Sequence, residues 1–187
     1  MTIAATKLSA EQFLMLGEDP PGVRLELVDG VIAVSPSPSV EHSHVDRQLS
    51  YHLVGHIREH DLGMLLGDVD TIFDQLNVRR PDILFLAKDR LHLLEGHGIP
   101  IAPDMCVEIL SPSSMEMDQE EKFRLYAKHG VANYWIIDPM ARWIKAYQLK
   151  RGKYALIGSG KRQEVVCFPP FGDLRIPLGD LWMTRKK

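Results

Sequence analysis

Apolar positions along the chain fall into two periods, and these divide it into elements. Val45, Leu49, Leu53 and Ile57 recur every four residues, which places one apolar stripe on a helix over 40–60 that should lie on a sheet. A shorter amphipathic helix is expected over 8–16, with Ser9 as its N-cap. Two apolar runs around Asp29-Gly30, over 24–34, predict a hairpin, since Asp-Gly supplies the positive φ angles of a tight turn. Strands are expected over 69–73, 82–86 and 105–110, then a helix over 119–129 that Gly130 is suited to cap. A buried strand over 133–138 follows, and 143–149 with 154–157 reads as a closing hairpin around Arg151-Gly152. The order is helix, three strands, helix, strand, with hairpins at both ends. It predicts an α/β fold with a mixed central sheet flanked by helices.

Two residues break the apolar pattern of the central strands. Asp82 follows Arg79-Arg80-Pro81 and opens Ile83-Leu84-Phe85-Leu86, and Glu108 stands in the middle of Cys106-Val107-Glu108-Ile109-Leu110. Burying a lone carboxylate costs several kcal/mol unless a cation or hydrogen-bond donors compensate, so two such acids point to a shared divalent metal. Phosphodiester hydrolysis is the chemistry such a site serves. The competing reading of Asp82 is a turn-capping acid after Pro81, and that of Glu108 an ion pair with Arg80 or Lys122.

The 187 residues fit a single domain, and the 45% hydrophobic and 25% charged content are those of an ordinary globular protein. Low complexity is confined to Ser35-Pro36-Ser37-Pro38-Ser39. No stretch has the length or apolarity of a membrane span, and none resembles a signal peptide. Cys106 and Cys167 each lie in an apolar segment, which predicts two buried thiols in a reducing cytoplasm rather than a disulfide. The net charge of −3 conceals a gradient: residues 1–120 hold 8 Lys and Arg against 20 Asp and Glu, whereas 121–187 hold 14 against 5. A basic half could meet phosphates while an acidic half surrounds a metal, or folding could pair the two.

At this point the motifs take on a family likeness. Leu25-Glu26-Leu27-Val28-Asp29-Gly30, Arg80-Pro81-Asp82, Val107-Glu108-Ile109-Leu110-Ser111-Pro112-Ser113-Ser114, Asp118-x-x-x-Lys122 and the run from Tyr126 to Pro139 resemble the bacterial Uma-type family of restriction endonucleases, within the PD-(D/E)XK nuclease superfamily. The resemblance spans roughly 24–180. It implies one nuclease-like domain over 1–187, with a restriction-endonuclease-like core over about 40–140, an N-terminal helix and hairpin over 8–34, and a C-terminal hairpin and tail over 141–187. The lysine that the superfamily carries two residues after the glutamate is Leu110 here; Lys122 matches the family's Asp-x-x-x-Lys and takes its place as a migrated catalytic lysine. Asp82, Glu108 and the Ile109 carbonyl would bind Mg²⁺ or Mn²⁺, and Lys122 would stabilise developing charge. The family pattern also puts Glu26 and His42 at the site as accessory residues.

DNA is the expected substrate, and a homodimer is the simplest way to cut two strands. No small-molecule cofactor is implied, and no base-reading motif is evident. Two other classes compete: a nuclease fold reduced to binding nucleic acid or protein, and a hydrolase of other phosphate esters. His52, His56 and His60 stand four residues apart, a spacing that can bring two imidazoles to one metal, but beside the apolar stripe they read as a solvated helical flank. Tyr134-Trp135 reads as core rather than a base-stacking platform, and Ser111-Pro112-Ser113-Ser114 as a turn into the helix rather than a nucleophile elbow.

Overall fold

A computed structural model of the chain describes residues 7–94, 96, 98–111 and 117–184, without the side chains of 117–119. The 112–116 segment, most of the Ser-Pro-Ser-Ser turn, and the basic 185–187 lie outside the described residues. Ser9 caps α1 (Ala10–Leu14) through a capping box with Gln12. Strands β1 (Val23–Val28) and β2 (Val31–Pro36) form the expected hairpin, with Asp29 and Gly30 both at positive φ. Ser39 then accepts the His42 N–H at 3.2 Å and starts α2 (Val40–Glu59).

The chain continues through β3 (Gly63–Leu66), β4 (Thr71–Asp74), β5 (Asn77–Arg79), β6 (Ile83–Ala87) and β7 (Met105–Ile109). After α3 (Met117–Lys128) come β8 (Asn133–Asp138), β9 (Trp143–Lys150), β10 (Lys153–Lys161), β11 (Val165–Phe168) and β12 (Phe171–Pro177). Six strands form the central sheet in the order β10-β9-β8-β7-β6-β3, where β7 and β8 run parallel and the other neighbours antiparallel. The mixed sheet expected from the sequence is present.

Alternation along β7 assigns its residues to two faces. Met105, Val107 and Ile109 turn toward Val45, Leu49, Leu53 and Ile57 of α2, in one apolar cluster with Trp135 and Ile137 of β8. The same cluster takes Val166, Phe168, Phe171 and Ile176 from the β11-β12 hairpin and Leu178, Leu181 and Trp182 from the C-terminal segment. The opposite face carries Cys106 against Leu125 and Tyr126 of α3, with Tyr134 and Ile136. Glu108 shares that face by parity, so it is directed to α3. Tyr134 and Trp135 are fully buried, as core residues should be.

A second sheet of four strands, β2-β1-β5-β4, packs Leu27 and Val78 against Ala10 and Phe13 of α1. The first of the three expected strands belongs here: β4 pairs with β5, and the place in the central sheet is taken by β3, which the sequence reading left without an element. The reason is local, since Gly-Met-Leu-Leu has neither alternation nor length. The β11-β12 hairpin was likewise unanticipated. It also corrects one thiol: alternation in β11 buries Val166 and Phe168 and leaves Cys167 exposed, while Cys106 is buried as expected.

Asp74, at the end of β4, joins the two sheets' surroundings. Its carboxylate accepts from the Leu76 N–H at 2.9 Å and the Asn77 amide at 2.8 Å, and meets Lys128 at 3.3 Å and His129 at 3.2 Å after α3. Partial burial pushes the Asp74 pKa up, but the Asn77, Leu76 and Lys128 interactions outweigh it and bring it down to about 2 from an ordinary 3.8. A carboxylate with a depressed folded value stabilises the fold above its unfolded value and loses that contribution as pH falls through the folded one. Urea unfolding of wild type and Asp74→Asn should therefore differ most at neutral pH and converge as pH drops from about 4 toward 2.

Candidate active site

Residues from β1, β2, α2, the β5-β6 junction, β7 and α3 meet at a cleft of about 120 Å³, lined by Arg24, Glu26, His42, Asp82, Glu108, Ile109, Ser111 and Lys122 together with Val34, Ser35, Pro36 and Pro38. Every site residue singled out in the sequence is in this lining. Each is placed by a local feature. Asp82 lies where the chain leaves the four-stranded sheet at β5 and enters the central sheet at β6, and Pro81 before it has no N–H to give a ladder. In the β6-β7 register Ile83 faces Val107, so the Ile109 N–H lies opposite Pro81 and is taken by the Asp82 carboxylate at 2.8 Å. Gly67 stands against this junction: a Cβ there would come 2.6 Å from the Asp82 carbonyl oxygen.

His42 occupies the position three residues before Val45, extending the apolar stripe of α2 by one imidazole. Its Nε2 lies 3.0 Å from Asp82 Oδ2, and its Nδ1 is buried with no hydrogen-bond partner. Arg24 reaches Asp82 Oδ1 at 3.2 Å and Asp68 at 2.7 Å, bridging the buried acid to an exposed one. Asp82 itself is 7% exposed. Burial pushes its pKa up, yet the bond and charge of His42, the charge of Lys122 and the Ile109 N–H outweigh that and hold it below the ordinary value. For His42 burial pushes down and Asp82 overcomes it, leaving the imidazole raised.

Lys122 and Tyr126 are one turn apart on α3 and face β7 together. The Lys122 ammonium lies 2.8 Å from Glu108 Oε2 and 3.8 Å from Glu26 Oε1, and the Tyr126 hydroxyl donates to Glu108 Oε1 at 2.6 Å. Burial, and then the Glu108 charge, raise the Tyr126 pKa well above its ordinary value, so its hydroxyl stays a donor. Glu26, two residues after Arg24 on the same face of β1, accepts the Arg80 N–H at 2.7 Å and a bond from Arg79 at 3.4 Å. Of the two ion-pair partners weighed for Glu108, Lys122 is the one in place; Arg80 instead pairs with Asp70 and Asp19.

Arg24 and Tyr126 escaped the sequence reading as contacts of the two acids. Each had a signal: Arg24 shares a strand face with Glu26, and Tyr126 stands four residues after Lys122. The oxygen donors gathered here are the carboxylates of Glu26, Asp82 and Glu108 and the Ile109 carbonyl. Since the N–H and C=O of a strand residue point to the same neighbour, the Ile109 carbonyl shares the edge on which its N–H meets Asp82.

Known proteins carry the same scaffold. The fold is shared with a structure described as "a putative nuclease belonging to DUF820 from Anabaena variabilis ATCC 29413", at a TM-score of 0.77 and 23% identity, covering 94% of this chain and 97% of that one. No curated protein matches the chain. A family model does, and its match over residues 10–179 takes in Arg24, Glu26, His42, Asp82, Glu108, Lys122 and Tyr126 alike. The chain therefore belongs to the Uma2 family, described as "Putative restriction endonuclease".

Proposed function

We propose that the protein is a metal-dependent endonuclease that hydrolyses phosphodiester bonds in DNA at the cleft around Asp82 and Glu108. The observation that carries this reading is the meeting of Asp82, Glu108 and Lys122, from three separate elements, in one solvent-open cleft, with the ammonium 2.8 Å from Glu108. Family membership and the shared fold support a nuclease as the class; the residue roles go further.

The donor set fits a hard divalent cation, since Asp82, Glu108 and the Ile109 carbonyl offer oxygen alone. Mg²⁺ or Mn²⁺ is the matching ion. When bound, such a cation lowers the pKa of a bound water and polarises a phosphoryl oxygen. The remaining work is done by the chain. Lys122, nearly stripped of solvent, places a fixed positive charge where negative charge develops on the phosphoryl group, and can donate to the attacking water. Tyr126 holds one oxygen of Glu108 while Lys122 holds the other, which fixes the carboxylate's plane. His42 and Arg24 do the same for Asp82, and Glu26 stands as a second acid beside the Lys122 ammonium. Two copies related by a two-fold would present one such cleft to each DNA strand.

A second reading, an idle nuclease fold that binds nucleic acid or protein, is favoured by one observation: both oxygens of each acid already have donors from the chain itself. Cleavage separates the two. Wild type should nick plasmid DNA with Mg²⁺ or Mn²⁺. Asp82→Asn and Lys122→Ala should lower turnover at least about 10²-fold, and Tyr126→Phe about 10- to 100-fold as a positioning residue, with KM little changed. Salt-sensitive DNA binding by wild type without cleavage would establish the idle module instead. Stability reports on the same pair: Lys122→Met should cost about 3–5 kcal/mol in urea unfolding by leaving Glu108 buried without its cation, and Glu108→Gln added to it should restore much of the loss.

A further inference from the structure

The far end of α2 carries a second set of metal-ligating groups. His56 and His60 lie one turn apart with ring centroids 4.3 Å from each other, and Asp173 of β12 reaches them from the C-terminal hairpin. Nitrogen and oxygen ligand atoms of the three residues lie within 4.8 Å of one another, a gathering found nowhere else among the described residues. His60 is exposed, as a solvated flank should be, but His56 and His52 are largely covered. The His56 side chain is 9% exposed, its ring meets Phe171 edge-on at 5.7 Å, and the neighbouring His52 reaches Asp180 at 3.4 Å.

Two features go beyond proximity. His60 Nδ1 lies 3.0 Å from the His56 carbonyl oxygen, which can only accept, so Nδ1 carries a hydrogen and Nε2 is the nitrogen left to ligate in the neutral ring. Metal-binding histidines are commonly held in this way, by a backbone carbonyl on the other ring nitrogen. The second feature is spacing. Around a tetrahedral ion with ligands at about 2.0–2.1 Å, neighbouring ligand atoms stand about 3.3 Å apart, and His56 Nε2 is 3.3 Å from Asp173 Oδ1.

We propose that His56 Nε2, His60 Nε2 and the Asp173 carboxylate form a binding site for a borderline divalent ion of the Zn²⁺ type. Two imidazoles and one carboxylate suit such an ion and not Mg²⁺, whose preference is for oxygen alone. Coordination replaces the proton between His56 and Asp173, which leaves to solvent. The ion would tie the last turn of α2 to β12, the strand that brings Phe171 and Ile176 into the main core. This site is separate from the cleft. His42 and His60 are 18 positions apart on the helix and its cap, roughly 27 Å at 1.5 Å per residue.

The test uses the full chain, stripped of metal and held in millimolar Mg²⁺. Titration with Zn²⁺, and with Co²⁺ for its visible absorption, is compared between wild type, His60→Ala and Asp173→Asn, with melting followed alongside. His60 and Asp173 are exposed, so the metal-free variants should melt like wild type. Wild type should bind one equivalent of Zn²⁺ that Mg²⁺ does not displace, melt higher when loaded, and show the absorption of inner-sphere Co²⁺. Each variant should lose affinity at least about tenfold. No uptake by wild type, or equal affinity in wild type and both variants, would overturn the proposal.

Discussion

A lysine ammonium held 2.8 Å from a glutamate carboxylate inside the protein sets the terms for the rest of the structure. Neither charge is tolerated there alone, since a buried ion left without its partner costs several kcal/mol. Lys122 comes from α3 and Glu108 from β7, so the pair fixes how that helix sits on the central sheet. Glu26 stands 3.8 Å from the same ammonium and is anchored on Arg79 and the Arg80 N–H, which brings the four-stranded sheet to the same point. Asp82 completes the arrangement through His42 and Arg24. Buried acids and cations alternate across the cleft, and each depends on elements far away in sequence.

The fold supplies these residues at its discontinuities. Asp82 stands where one sheet hands the chain to the other, His42 in the first turn of α2 behind the Ser39 cap, and Glu108 next to the end of β7. At such places backbone donors are left without ladder partners, and the Ile109 N–H bound by Asp82 is one of them. Two of the site's hydrogen bonds, from the Ile109 N–H to Asp82 and from the Arg80 N–H to Glu26, satisfy backbone donors at strand ends. The exposed Cys167 and the basic turn Lys150-Arg151-Gly152-Lys153 lie outside the site.

Much of this was legible in the sequence where the signal was local or periodic. The Asp29-Gly30 turn and the four-residue stripe of α2 each mark an element the structure contains, and the acid inside Cys106-Val107-Glu108-Ile109 lines one cleft with Asp82 and Lys122. What escaped depends on tertiary pairing. Gly63–Leu66 is a strand because β6 offers it an edge, and β4 joins the N-terminal sheet because β5 turns back on it. The β11-β12 pairing shifts register between Val166 and Phe168 and β12 does not alternate, and the hairpin's docking on α2 encloses His56, which spacing alone leaves in solvent. Arg24 looked like an ordinary strand residue until Asp68 and Asp82 converged on it.

The central claim is that the acids now paired with Lys122, Arg24 and His42 are a cation site that a nuclease reaction uses. Anomalous diffraction from crystals of the full chain soaked in Mn²⁺ tests it most directly. The account predicts a peak bound by Asp82, Glu108 and the Ile109 carbonyl, at about 2.0–2.3 Å from each oxygen, with Lys122 retained beside it. Fully ordered Asp82 and Glu108 still locked to Arg24 and Lys122 in the soaked crystals, with no peak in the cleft, would contradict it.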